Sequence, residues 1–256
     1  MNGHIETVNT WRHQLRGTLV IVKKNAMIYY LQPPVLIFGV LFPVFFFLAF
    51  TMGRPISAES VVPGMVAMAL WFTASAVGPL VTPWERRART YERLIAAPVS
   101  MLAVIGGDVV SGLLFGACLS IVPVVLGLAL TDAAVTNLGL LALGIVLGAL
   151  SFATLGVLLA APPASNPSNI MLLSNLVRLP LLFVSGIFMP ISRMPGWARW
   201  VAPVSPLAYA GDLIRGGFGQ EGYFPWWLSV GMLAALTGLL FWGACRFHGR
   251  WRAKGL

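Results

Sequence analysis

The densest charge in this chain falls within nine residues: Glu85, Arg86, Arg87, Arg89, Glu92 and Arg93, with Thr90 among them. Guanidinium groups interleaved with carboxylates can form several charge-assisted contacts with a partner surface at once. They do not make a catalytic set, because no nucleophile–base pair or cluster of metal ligands accompanies them. The surrounding stretch, Trp84–Ser100, lies between two apolar runs long enough to cross a bilayer. It reads as a short helix held at a membrane surface and offered to something in the water.

An intramembrane enzyme has to display reactive groups, and this sequence displays few. The three histidines, His4, His13 and His248, all fall in terminal segments expected in the cytoplasm, so no metal-binding pair of histidines is expected in the spans. There is no Gly-x-Ser-x-Gly nucleophile elbow and no Gly-x-x-x-x-Gly-Lys-Ser/Thr phosphate loop, so the chain does not bind ATP by that route. Cys118 and Cys245 both lie in apolar runs, which argues against a disulfide framework.

Two charges lie inside apolar runs, Asp108 and Arg178. Counted from the cytoplasmic starts of their spans, they sit at similar shallow depth. Charges there are costly and normally pair or face water. One expectation is an Asp108–Arg178 ion pair, within one subunit or across a dimer seam; the alternative is that Arg178 snorkels to the headgroups.

The elements that must position these groups follow from composition. Of 256 residues, 58% are hydrophobic and 10% are charged. Mean hydropathy is +0.83. A soluble domain carries about 25% charged residues, so this is an all-α integral membrane protein. The formal charge of +9 is not spread as a nucleic-acid surface would need. Twelve of the seventeen Lys and Arg fall before the first span, in the stretch after the second, and after the last. The positive-inside rule puts all three segments, and therefore both termini, in the cytoplasm.

One domain over 1–256 is expected, with no cleavable leader. Residues 1–34 hold an amphipathic interfacial helix, in which Val8, Trp11, Leu15, Leu19, Val22 and Ala26 recur at helical spacing. Six spans follow, at 35–53, 61–82, 102–130, 138–161, 170–189 and 226–247. Span three is long enough to tilt or to break near Pro123. Segment 84–100 separates spans two and three. Gly112-x-x-x-Gly116 and Gly144-x-x-x-Gly148 are expected to bring helices together within one subunit, with a dimer seam as the alternative. Residues 190–223 are too polar and proline-rich to span, yet too apolar for a solvated loop. Short helices near Gly196–Ala202 and Leu207–Gly216 would make a re-entrant outer hairpin, with Trp197, Trp200 and Tyr209 at the interface.

Two segments together carry a resemblance. Ser185-Gly186-Ile-Phe-Met-Pro190, then Met194-Pro195-Gly-Trp197, then Pro206-Leu-Ala-Tyr209 leading to Arg215, is similar to the C-terminal signature of the type-two permeases of ATP-binding-cassette (ABC) transporters. Glu85…Thr90-Tyr-Glu92-Arg-Leu94, ending in Pro98-Val-Ser100, resembles that family's cytoplasmic coupling segment. The chain departs from the family at Arg89-Thr90, where Gly-Thr is common, and at Ser205-Pro206, where Asn-Pro is common.

The resemblance implies a transport subunit, not an enzyme. It implies a separate nucleotide-binding ATPase subunit that holds ATP and Mg, with no cofactor in this chain, and a second permease chain as partner. A coupling helix at about Glu85–Ala97, bounded by Pro83 and Pro98, would dock on the ATPase through Glu85, Arg86, Arg87, Arg89, Glu92 and Arg93. The arginines could serve topology alone, but the positive-inside rule does not require glutamates among them. Export of an apolar or amphipathic cargo, drug-like or lipid, is the leading expectation. An ion-coupled secondary transporter and a polysaccharide-exporting permease are the alternatives. Phe42, Phe46, Trp71 and Phe183 are candidate path-lining aromatics.

Overall fold

A computed structural model of the chain describes residues 11–28, 33, 37, 41–52, 58–88, 100–162 and 166–253. Among the described residues the fold is helical, without strands. The helices are α1 (Trp11–Ile28), α2 (Phe42–Thr51), α3 (Ala58–Ala74), α4 (Val77–Arg87) and α5 (Met101–Leu130). Then come α6 (Leu138–Leu159), α7 (Pro167–Val184), α8 (Gly196–Val201), α9 (Pro206–Gly217) and α10 (Trp226–Ala253), with 3-10 turns at Ile191–Arg193 and Ala202–Val204.

Among the described residues, five stretches are long and apolar enough to cross a membrane: Glu59–Arg87, Met101–Leu130, Leu138–Leu159, Pro167–Val184 and Trp226–Arg250. Of the expected first span, 35–53, residues 37 and 41–52 are described, and within them α2 is an apolar helix of 10 residues.

Local sequence sets the helix starts. Ser100 caps α5, its Oγ accepting from Ala103 N at 3.2 Å. Asn137 caps α6 by accepting from Leu140 N at 3.1 Å, and Asn166 caps α7 by accepting from Ser168 N at 3.2 Å. Each side chain thereby satisfies an amide that the first helical turn leaves unpaired. α5 runs through Pro123 without a break. α7 stops at Val184, short of the expected 189, because Ser185 and Gly186 turn the chain and Gly186 adopts a φ of +88°. α10 runs on past Phe247 to Ala253.

The α3–α4 stretch is the centre of the molecule. Almost all of it is buried, whereas α5 and α10 are buried over much less of their length. α3 packs on α2, α5, α6 and α9; α6 packs on α4, α5, α9 and α10. Trp71 stands edge-on to Phe152 with ring centroids 4.7 Å apart, at the middle of the main core. Such a core needs small residues where backbones cross. Gly112 and Gly116 lie against Ala74, and Gly144 and Gly148 lie against α9, so these glycines do pack within the subunit. Gly78 of α4 meets the Gly156 backbone of α6, where neither position has room for a Cβ.

Large apolar side chains also face outward, among them Leu114, Ile121 and Val125 on α5 and Leu172, Leu176 and Phe183 on α7. Water would penalise that surface, and hydrocarbon would not.

Candidate functional site

The charged end of the bundle is built by three elements that are remote in sequence. α1 lies along the first half of α5 and runs in the same direction. Gln14 Oε1 accepts from Ser100 Oγ at 2.6 Å and Ser100 N at 3.2 Å. One turn on, Thr18 Oγ1 donates to Ala103 O at 3.3 Å. Ile21 then fills the space over Gly107, where a Cβ would come within 2.7 Å. Finally Asn25 Nδ2 donates to Asp108 Oδ1 at 2.8 Å and to Ser111 Oγ at 3.1 Å. The spacing 14, 18, 21, 25 marks one face of a helix, so these contacts form a continuous seam.

Leu15 and Leu19, expected on the apolar face of an interfacial helix, are exposed, while the face that meets α5 carries Gln14, Thr18, Ile21 and Asn25. The exposed side also holds Val20 and Met27, together with Arg16 and Lys23.

α4 joins the same assembly. It passes through Pro83 without ending, so Pro83 does not bound a separate helix; Trp84 to Arg87 form the last turn of α4 itself. Glu85 is buried and pairs with Lys24 of α1. Arg86 reaches the end of α6, donating from Nη1 to Pro162 O at 2.9 Å and from Nη2 to Ala161 O at 3.3 Å. A cation over unpaired helix-terminal carbonyls is favourably placed. Arg87 is exposed, with its guanidinium 5.9 Å from the Trp84 ring. Arg89, Thr90, Glu92 and Arg93 lie outside the described residues. Thus α1 grips both stems of the charged segment: Glu85 before it and Ser100 after it.

Asp108 and Arg178 do not pair within the chain. Asp108 is satisfied by Asn25, and Arg178 Nη2 donates to Phe72 O at 3.0 Å, with the guanidinium 5.1 Å from the Phe72 ring. Similar depth does not bring two side chains together; Asp108 faces α1 and Arg178 faces α3. Arg178 does not snorkel either, being 6% exposed. His248, expected in a solvated tail, is buried in α10 and donates from Nε2 to Val157 O at 3.1 Å.

At the opposite end, residues 185–224 fold back as a chain of short helices. Gly186 makes the turn, and its carbonyl accepts from Arg215 Nη2 at 2.5 Å. Arg215 Nη1 also donates to Asp212 Oδ1 at 2.9 Å. The other Asp212 oxygen accepts from Tyr223 N at 3.0 Å and Phe224 N at 2.8 Å. Ser185 Oγ donates to Leu182 O, and Ser205 Oγ donates to Leu181 O at 3.1 Å. Pro190 and Pro195 precede the first 3-10 turn and α8, and Pro206 opens α9.

Trp197 and Trp200 are exposed, as expected of interfacial rings. Tyr209 is not: it is 2% exposed, donates to Pro203 O at 2.9 Å and packs on Phe224. Helical spacing from Pro206 turns Tyr209 inward, towards the core that α9 builds with α6. Burial raises its phenol pKa, with the Asp212 carboxylate adding to the shift. A cleft of about 660 Å³ opens between this hairpin and the start of α3, lined by Ser60, Gly64, Phe188, Arg193, Arg215 and Glu221 among others. Of the aromatics considered for a path, Trp71 is fully buried and Phe42 packs edge-on to Phe72, whereas Phe183 faces outward, stacked on Phe188. The Phe46 side chain lies outside the described set.

The model of the ABC-2 type transporter family matches residues 16–218, which takes in most of α1, the stems of the charged segment and most of the hairpin. This chain belongs to that family. The ABC-2 chain is 27% identical over 160 residues to the inner membrane transport permease YadH of Escherichia coli K12, and equally so to that of Shigella flexneri. The alignment covers 62% of this chain and 62% of the relative. It is also 38% identical over 64 residues to the daunorubicin resistance ABC transporter permease protein DrrB1 of Streptomyces coeruleorubidus, covering 25% of this chain and 21% of that one. With five membrane-length helices, this ABC-2 protein is a multi-pass membrane protein.

Sequence reasoning missed Gln14, Asn25 and Asp212. The first two were legible as a polar stripe with Thr18 at helical spacing. Asp212 stands three residues before Arg215, the spacing of an intrahelical pair.

Proposed function

We propose that the chain is the permease subunit of an ABC exporter, driven by ATP that a separate ATPase subunit binds with Mg. The observation that carries this reading is the charged terminus of α4, tied to α1 and α5 and placed within the family match. Segment 84–100 serves as the coupling element. Glu85 and Arg86 set its stem against α1 and α6, and Arg87, Arg89, Thr90, Glu92 and Arg93 meet the ATPase. When the ATPase closes on ATP, the load passes through two stems at once, because α1 holds them both.

The full topology in this proposal has six spans, the first over 35–53, with both termini in the cytoplasm of a cell whose inner membrane holds the protein. α1 lies at the cytoplasmic interface with its exposed leucines in lipid. The hairpin 185–224 dips into the outer leaflet, anchored by Trp197 and Trp200. Two permease chains line the path. An apolar or amphipathic cargo, drug-like or lipid, fits the outward-facing apolar surface and the scarcity of charge in the spans. The printed name of DrrB1, which refers to daunorubicin resistance, points the same way. An ion-coupled carrier would need carboxylates free to load an ion near mid-membrane. Asp108 is instead committed to Asn25.

The test is proteoliposomes holding the chain with its co-purified ATPase. ATP should drive loss of an amphipathic dye from the cytoplasmic leaflet, and a proton or sodium gradient alone should not. Movement that follows the gradient and ignores ATP contradicts the proposal. ATP-driven movement of an undecaprenyl-linked sugar, but not of the dye, would replace the cargo and keep the class.

A further inference from the structure

The outer face of α7 and the cleft at the hairpin end form one continuous surface. Leu172, Leu176, Leu179 and Phe183 are all exposed, and their helical spacing puts them on one face of α7. From Leu172 to Phe183 the helix rises about 16 Å, close to half of a hydrocarbon core of about 30 Å. The stripe therefore has the depth of one leaflet. At its hairpin end the Phe183 ring stacks on Phe188, with centroids 5.0 Å apart, and Phe188 lines the cleft. An apolar track thus leads from the bilayer into a cavity of about 660 Å³.

The cleft itself carries charge. Asp212 and Arg215 line it, but they are committed to each other and to backbone. Two charges remain. Arg193, in the first 3-10 turn, and Glu221, after α9, line the cleft and are exposed. Neither side chain has an ion-pair partner among the described residues, and they do not pair with each other. Tyr223 lines the same cleft, half exposed, with a phenol that can donate. A purely anionic head would meet Arg193 and be repelled by Glu221; a purely cationic amphiphile would meet the reverse. A head that carries both charges satisfies both residues, and the repulsion selects against the other two.

We propose that this surface binds a zwitterionic phospholipid, with its headgroup in the cleft and an acyl chain along the α7 stripe. Arg193 and Tyr223 hold the phosphate, and Glu221 holds the ammonium. The matching chemistry is a phosphatidylethanolamine head: phosphate oxygens for the guanidinium, and an ammonium with three donors for the carboxylate. Gly64 and Ile187 wall the apolar side of the cleft, where the glycerol region lies. A second copy of the chain packed on the stripe would cover Phe183 and cut the cleft off from the bilayer. The proposal needs the chain to lie in a membrane; it does not need the transport reading above.

The experiment uses the full chain as it purifies, in mixed micelles offering phosphatidylethanolamine and phosphatidylglycerol, which has the phosphate but no ammonium. Native mass spectrometry counts the lipids that stay bound to the parent and to Arg193→Gln, Glu221→Gln and Gly64→Leu, each first checked to be monodisperse. The parent should retain phosphatidylethanolamine over phosphatidylglycerol by about five-fold, the most that one exposed ion pair supplies. Glu221→Gln should abolish that preference. Arg193→Gln should lower retention of both lipids by about five-fold. Gly64→Leu touches neither charge. A Cβ there meets Ile187 Cγ2 at 3.5 Å, an ordinary contact, so the longer side chain fills the cleft and should expel the lipid. In membranes, a photo-crosslinking side chain at 176 should give adducts to lipid.

Equal retention of the two lipids by the parent overturns the proposal, as does a preference that survives Glu221→Gln. Gly64→Leu protein that keeps its phosphatidylethanolamine also overturns it, because the headgroup would then lie elsewhere. Adducts from 176 to a second copy of the chain, in place of lipid, do the same for the acyl track.

Discussion

The two ends of the bundle are held together by different kinds of bond. At the charged end, beside the backbone contacts of Thr18 and Arg86, side chains meet side chains from distant parts of the sequence: Lys24 with Glu85, Gln14 with Ser100, Asn25 with Asp108. At the hairpin end, apart from the local Asp212–Arg215 pair, side chains meet backbone. Asp212 takes the amides of Tyr223 and Phe224, Arg215 holds Gly186 O, and Tyr209 holds Pro203 O. A bond to backbone fixes the path of a loop and cannot be broken without stranding a buried group. A bond between two side chains can be remade with the helices in new positions. One end is thus fixed in its path, and the other can be remade with its helices displaced.

The hairpin end should be the more fragile to single substitutions. Asp212→Ala removes the acceptor for three donors and leaves Arg215 without its carboxylate. The expected loss is about 3 kcal/mol, read as a lower unfolding midpoint of the purified chain in detergent. A loss below about 1 kcal/mol would mean that the hairpin is not held in this way. Gly186→Ala should cost less, about 1–2 kcal/mol, because φ is +88° and a Cβ would come within 2.8 Å of Ile191.

The charged end should tolerate exchange. Lys24→Ala or Glu85→Ala should cost about 1–2 kcal/mol in stability, because Glu85 is buried while Lys24 keeps some contact with water. Transport per ATP hydrolysed should fall further than stability does. The swap Lys24→Glu with Glu85→Lys should recover most of that ratio, and failure to recover it would remove the special status of the pair. Trp200→Ala, at 86% exposure, should change stability by less than about 0.5 kcal/mol. Its effect belongs in membrane partition of the hairpin, measurable by tryptophan fluorescence with depth-dependent quenchers.

Legibility in the sequence followed the same division. Local features were readable. The short helices of the hairpin came out within a residue of α8 and α9, because Pro195 and Pro206 mark their starts. The glycine pairs of α5 and α6 could be assigned to packing within the subunit because small residues at that spacing have one main use. What depends on which helices become neighbours was not readable. Asp108 and Arg178 share a depth but face different helices, and depth is all that counting along a span supplies. The polar stripe by which α1 meets α5 was missed for a related reason. Hydrophobic periodicity assumes that apolar residues point to the protein, and beside a membrane the leucines are free to point away. The division between α3 and α4 was within reach, since Pro79 withdraws the helical donor of the Ser75 carbonyl.

The central claim is that the charged end meets a separate ATPase and the hairpin end does not. A photo-crosslinking side chain placed at 87, 89 or 92, and separately at 193 or 221, tests it in cells expressing the full chain. Residues 87 and 193 bracket the molecule, both being exposed. The account predicts adducts to a Walker-motif ATPase from the first set, strengthened when ATP hydrolysis is blocked, and none from the second. Adducts to that ATPase from 193 or 221, or none from 87, 89 and 92, would contradict it.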